Sequence, residues 1–174
     1  MVFGCAGSGK STLARKLSER TGLLLVERDT LAPLGSEAYL QTITELVRKP
    51  RWILDGAPYY ADSLVYPLVD TVLVLDYAKP VVMGHVLRRT LAVELLRRPV
   101  GGHQPQGLAA WRDSEHAVRW AWTSHRDRHR EGLALADRAD LAGADIIRFT
   151  RPAEARRWLK DLPPRHRNTT AFAG

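Results

Sequence analysis

Gly4-Cys5-Ala6-Gly7-Ser8-Gly9-Lys10-Ser11-Thr12 is the stretch of this chain whose residue types and spacing can do chemistry. It fits G-x-x-x-x-G-K-[ST]. In that pattern glycines let backbone N–H groups approach phosphate oxygens, a lysine reaches the β/γ-phosphates and a hydroxyl reaches Mg²⁺. A helix starting at the lysine adds free amides and a favourable dipole. Gly4, Gly7, Ser8, Gly9, Lys10, Ser11 and Thr12 are therefore candidate phosphate-binding residues, with Lys10 also catalytic and Ser11 a metal ligand. Met1-Val2-Phe3 before the loop and Leu13, Ala14 and Leu17 after it supply the strand–turn–helix setting that the motif needs.

Three acids follow apolar runs of strand length, where open α/β sheets place their ligand crevice. Asp29 comes soon after Leu23-Leu24-Leu25-Val26 and reads as a binder of a substrate hydroxyl, a general base or a helix cap. Asp55 closes Trp52-Ile53-Leu54 and precedes Gly56. It reads as a holder of metal-bound water, an orienter of the acceptor or a turn residue. Asp76 ends Thr71-Val72-Leu73-Val74-Leu75, the shape of a strand that sets its Asp beside a metal; a loop-capping Asp is the alternative.

Arginines are the third ingredient. Arg88 and Arg97 lie before or at a Gly/Pro-rich loop, and residues of about 97–107 read as a small lid that closes on phosphates. Arg126 and Arg130 share one helical face after it. Each is a candidate phosphate clamp or a solvated surface charge. His125 and His129 are four residues apart but come with no third ligand, so zinc is not expected. Cys5 reads as a small apolar filler.

The elements that must position these groups alternate between strand and helix. The first strand is cut short at three residues, or the chain begins upstream of Met1. A helix over about 10–20 is stopped by Gly22, as a left-handed cap would do. The run 23–26 suits a strand buried on both faces. Helix is expected over 36–49, with Leu40, Ile43, Leu46 and Val47 on one face, and again over 79–96. Short helical or looped pieces fill 59–68. A long helix over 108–139, continuous or broken near Gly132, is expected to bury Trp111, Val118 and Trp122. A last strand at 145–149 and a helix at 153–162, with Trp158 and Leu159 inward, complete one domain over 1–162, before a disordered tail at 163–174.

Composition limits the classes. The chain has 174 residues, 45% hydrophobic and 26% charged, which is ordinary for one globular domain. It has no apolar run of membrane-spanning length, no signal-peptide pattern and one cysteine, so a cytoplasmic location and no membrane partner are expected. The net charge of +7 falls entirely in residues 88–174, with 17 Lys/Arg against 10 Asp/Glu, while residues 1–87 hold 9 of each. Most of this excess reads as solvated helix faces. A nucleic-acid partner is compatible with a pI near 10.0 but not favoured, because no aromatic-interleaved basic ribbon or recognition helix is present.

The phosphate loop, Arg51-Trp52-Ile53-Leu54-Asp55-Gly56, Asp70-Thr71-Val72-Leu73-Val74-Leu75-Asp76-Tyr77, the Arg-rich segment and Arg148-Phe149-Thr150-Arg151-Pro152 resemble the DNA topology modulation protein group. That group is similar to adenylate kinase and belongs to the P-loop nucleoside/nucleotide kinases. The resemblance implies a three-layer α/β/α P-loop NTPase fold with a parallel five-stranded sheet and a small lid. It implies ATP and Mg²⁺ on the loop, adenine near the turn that holds Arg151, and lid arginines at the phosphates. Asp55-Gly56-Ala57-Pro58 is also similar to the Asp-Gly-x-Pro of adenylate kinases, but the Arg that follows there, which contacts the acceptor nucleotide, is Tyr59 here. The expected function is an ATP-dependent phosphotransferase acting on a nucleotide or nucleoside. A metabolite kinase of shikimate or gluconate type and an ATP-binding, DNA-associated regulator are the alternatives.

Overall fold

The structure, a computed structural model, describes residues 1–31, 35–96, 117–141 and 143–163. The predicted lid at about 97–107, with Arg97, lies outside the described residues, as do Trp111 and all of the predicted tail but residue 163.

Five strands, β1 (Val2–Gly4), β2 (Leu24–Glu27), β3 (Trp52–Asp55), β4 (Thr71–Leu75) and β5 (Asp145–Phe149), form one sheet in the order β2-β3-β1-β4-β5. Every pairing is parallel. Parallel neighbours need crossovers, and helices supply them. They are α1 (Lys10–Thr21), α2 (Arg28–Leu31), α3 (Gly35–Val47), α4 (Asp62–Val65), α5 (Lys79–Leu96) and α6 (Ala117–Ala134), and α7 (Pro152–Asp161) follows the last strand.

Side chains alternate across the pleat, so each strand feeds two cores. Phe3, Leu54, Val72 and Val74 point to one face, where Ile43 and Leu46 of α3 and Val65 of α4 cover them. Val2, Ile53, Leu73 and Leu75 point to the other, under Leu13 and Ala14 of α1, Val82 and Val86 of α5 and Ala155 of α7. This is a three-layer α/β/α arrangement. Although only three residues long, β1 is central, pairing with β3 and β4 on its two sides. No described helix is long and apolar enough to cross a membrane.

Several sequence expectations change. The run 23–26 becomes β2, shifted by one residue, and it lies at the sheet edge rather than inside it, with Leu24 48% exposed. Leu40 points outward, and Tyr39 takes its place in the core beside Ile43 and Leu46. Trp122 is not core: it is 57% exposed, with Lys79 Nζ 3.6 Å from its ring centroid. Gly132 does not break α6. A Cβ there would come within 3.2 Å of Val74 and 3.4 Å of Phe3, so glycine lets the helix lie close on the sheet. The helix ends at Ala134, and short 3-10 turns carry the chain on to Leu141. Gly22 does stop α1, with φ 69° and its N–H bonded to Ser18 O at 2.7 Å.

Candidate active site

Parallel pairing brings every strand's carboxyl end to one rim of the sheet, and the phosphate loop rises there from β1 into α1. Ser8 N–H donates to Cys5 O at 3.1 Å and closes the turn. Gly7 and Gly9 have φ of 83° and 90°, which L side chains rarely adopt. Gly7 also sits against α5: a Cβ there would lie 2.2 Å from Val86 Cγ2. Gly7→Ala therefore combines backbone strain with a clash. It is expected to cost about 1–3 kcal/mol of stability, read as a lower melting temperature. Adding Val86→Ala should recover the part due to the clash and leave the strain.

Lys10 and Ser11 open α1. Lys10 Nζ lies 3.8 Å from Asp29 Oδ2, and the other oxygen of Asp29 is ion-paired with Arg28. Burial alone would raise the Asp29 pKa, but Arg28 and Lys10 outweigh it and hold the carboxyl below its usual range. Asp55, at the tip of β3, is 3% exposed. Burial pushes its pKa up, the Ser11 hydroxyl and Lys10 pull it partly back, and Asp29 and Glu27 add to the rise. Its Oδ1 is buried with no hydrogen-bond partner. The loop, Asp29 and Asp55 thus converge on one place, as their spacing predicts.

Asp76 is differently engaged. His129 Nδ1 lies 2.6 Å from its Oδ1, and Arg148 Nε donates to its Oδ2 at 2.8 Å. A carboxylate accepts, so His129 carries its proton on Nδ1. The carboxylate beside Ser11 is Asp55, and the metal role read for Asp76 from its strand-end position has to compete with these two partners. His125 Nε2, one turn earlier on α6, lies 2.9 Å from Tyr77 O. The two histidines therefore fasten α6 to the end of β4. Among the described residues no three His, Cys, Asp or Glu side chains gather around a metal position. Burial pushes the Cys5 thiol up to about 11, which leaves it protonated and inert.

The arginines sort by helical phase. Arg88 is exposed on α5. Arg89 is half-buried, three residues beyond the Val86 that touches Gly7, and so shares its face. Burial lowers the Arg89 pKa, and no carboxylate among the described residues offsets this. Arg89 is thus a desolvated guanidinium with no carboxylate partner among the described residues, on the face of α5 that meets the phosphate loop, a placement that the Arg88-Arg89 doublet did not resolve. Its signal was available: Val82, Val86 and Arg89 recur at helical spacing. On α6, Arg126 is exposed, and Arg130 is exposed beside Asp127 at 4.0 Å. Arg128 instead turns inward: it lines a small cavity with Cys5, Asp76 and His129 and pairs with Glu131 at 2.6 Å. Arg151 caps α7 at the tip of β5, with Glu154 accepting its N–H at 3.1 Å, and its side chain is exposed.

Compared with known proteins, the chain matches no protein-family model. It matches no curated sequence either.

Proposed function

We propose that this protein is an ATP-dependent phosphotransferase of the P-loop kinase type, acting in the cytoplasm on a small hydroxyl acceptor. The observation that carries this reading is the convergence of Lys10, Asp29 and the buried, half-satisfied Asp55 at the mouth of the phosphate loop. Buried carboxylate oxygens without a partner are uncommon in folded proteins, and this one lies beside the residues that open α1.

Backbone amides of Gly7 to Ser11 would wrap the β- and γ-phosphates, and Lys10 would exchange Asp29 for them. The Ser11 hydroxyl and, through water, Asp55 fit a Mg²⁺ ion, which would supply neutralising charge on the phosphates. Asp29, released from Lys10, would accept the proton of the acceptor hydroxyl. The hydroxyl oxygen then forms the bond to the γ-phosphorus. The bond from that phosphorus to the β–γ bridging oxygen breaks, and ADP leaves with the electron pair. Such transfer needs positioning and charge compensation more than covalent help from the protein. Arg89 is placed to add positive charge from α5.

Acceptor-dependent ADP formation over a panel of nucleosides, nucleotides and sugars tests the reading; nucleotide binding without turnover on any acceptor would reject it. Arg89→Ala is expected to weaken binding of a non-hydrolysable ATP analogue by about tenfold, the worth of one charge-assisted hydrogen bond, and Arg88→Ala by less than about twofold. Calorimetric titration of the two variants checks the contrast.

A further inference from the structure

We propose that the acceptor carries no negative charge at this crevice: it is an uncharged hydroxyl compound, such as a nucleoside or a sugar, rather than a monophosphate or a carboxylate. This rests on the kinase reading above and concerns the other half of the same site.

The tips of β2 and β3, the first two turns of α1 and the first turn of α2 hold three carboxylates, Glu27, Asp29 and Asp55, and three cations, Lys10, Arg15 and Arg28. Each cation faces a carboxylate, although Arg28 Nε is buried with no hydrogen-bond partner. Arg15 holds Glu27 with two parallel hydrogen bonds, Nε to Oε1 at 2.7 Å and Nη2 to Oε2 at 2.8 Å. Arg28 is ion-paired with Asp29, and its guanidinium carbon lies 4.4 Å from the Tyr59 ring centroid. Lys10 faces Asp29 and leaves it for the triphosphate. What remains is two neutralised pairs and Asp55, whose buried carboxylate has no basic side chain of its own and one oxygen with no partner.

The balance on the acceptor side is therefore negative once the nucleotide has taken Lys10. A phosphate or carboxylate entering there meets Asp55 and the incoming triphosphate in a poorly solvated crevice, and the charges of Arg15 and Arg28 are already balanced by Glu27 and Asp29. An anion in such surroundings is disfavoured unless it is paired. A neutral hydroxyl has no such penalty, and it brings the donor that the carboxylates lack. Tyr59 marks the same edge: it holds φ of 49°, a strained value for a bulky residue, beneath the Arg28 guanidinium.

The test offers the full chain ATP with matched pairs: adenosine and AMP, cytidine and CMP, thymidine and TMP, glucose and glucose 6-phosphate. ADP formation gives kcat/KM for each. The neutral member should be favoured by at least about tenfold in the pair that is used, a discrimination of about 1.4 kcal/mol. Preference for the phosphorylated member, or no discrimination in any pair, overturns the proposal. Glu27→Gln frees Arg15 and leaves the other groups in place, and as an exposed pair it costs little stability. It should shift the ratio several-fold toward the monophosphate; an unchanged ratio counts against the charge balance argued here. Calorimetry with a non-hydrolysable ATP analogue separates the two levels. If the analogue does not bind, the kinase reading falls and the acceptor proposal with it. If it binds and anionic acceptors are preferred, the acceptor proposal falls alone.

Discussion

Lys10→Ala is expected to lower phosphoryl transfer by about a thousandfold, about 4 kcal/mol of transition-state stabilisation, as the loss of a preorganised charge at a developing phosphate charge does. The effect is large because no other cation opens α1 at the loop, and Arg89 adds charge from a separate helix. Arg28 is tied to Asp29, and Arg15 to Glu27. Stability should change little, since Lys10 makes one loose ion pair at 3.8 Å with a carboxylate that is 58% exposed. Steady-state turnover together with a melting curve checks both statements. A variant that folds and still turns over normally would remove the phosphate loop from the chemistry.

Asp55→Asn is expected to push activity and stability in opposite directions. Turnover should fall by about a hundredfold or more, since the buried charge beside Ser11 disappears, while affinity for an ATP analogue changes little. The fold should become more stable at neutral pH. Burial raises the folded-state pKa of Asp55 above that of the unfolded chain, so keeping it ionised costs stability at any pH above the folded value. As pH falls through that value the carboxyl takes up a proton and the cost disappears. The melting temperature of the variant should therefore exceed that of the parent near pH 7, and the gap should close toward pH 4. Residues held in place against stability in this way are common at sites selected for activity. An unchanged rate would demote Asp55 to a turn residue, and a gap that widens in acid would refute the electrostatic account.

Much of the fold could be read from local pattern. The start of α5 at Lys79, the arrest of α1 at Gly22 and the strand at 71–75 follow from periodicity, caps and β-branched runs. What could not be read depends on neighbours remote in sequence. An apolar run such as 23–26 has the same composition at the edge of a sheet as in its middle, and only the strand order places β2 outermost. Trp122 lies on an amphipathic helix whose phase is set by its packing on α5 and by Gly132 against Phe3 and Val74, so its exposure was hidden. The site divides in the same way. Lys10, Asp29 and Asp55 all belong to the first crossovers and converge as their spacing implies. The partners of Asp76 stand 53 and 72 residues away, on α6 and β5. No local pattern in the sequence announces them.

His125 and His129 grip consecutive residues at the end of β4 from adjacent turns of α6, and Arg148 grips the same Asp76 from β5. Two anchors on one helical face allow that helix to tilt but not to slide. The Asp76 node fixes the middle of the helix: on its carboxyl side Gly132 keeps the helix pressed to the sheet, and on its amino side Ala121 and Val118 pack it into the core beside Val82 and Val86 of α5. The axial register of α6 on the sheet is thus written into this one joint rather than spread along the helix.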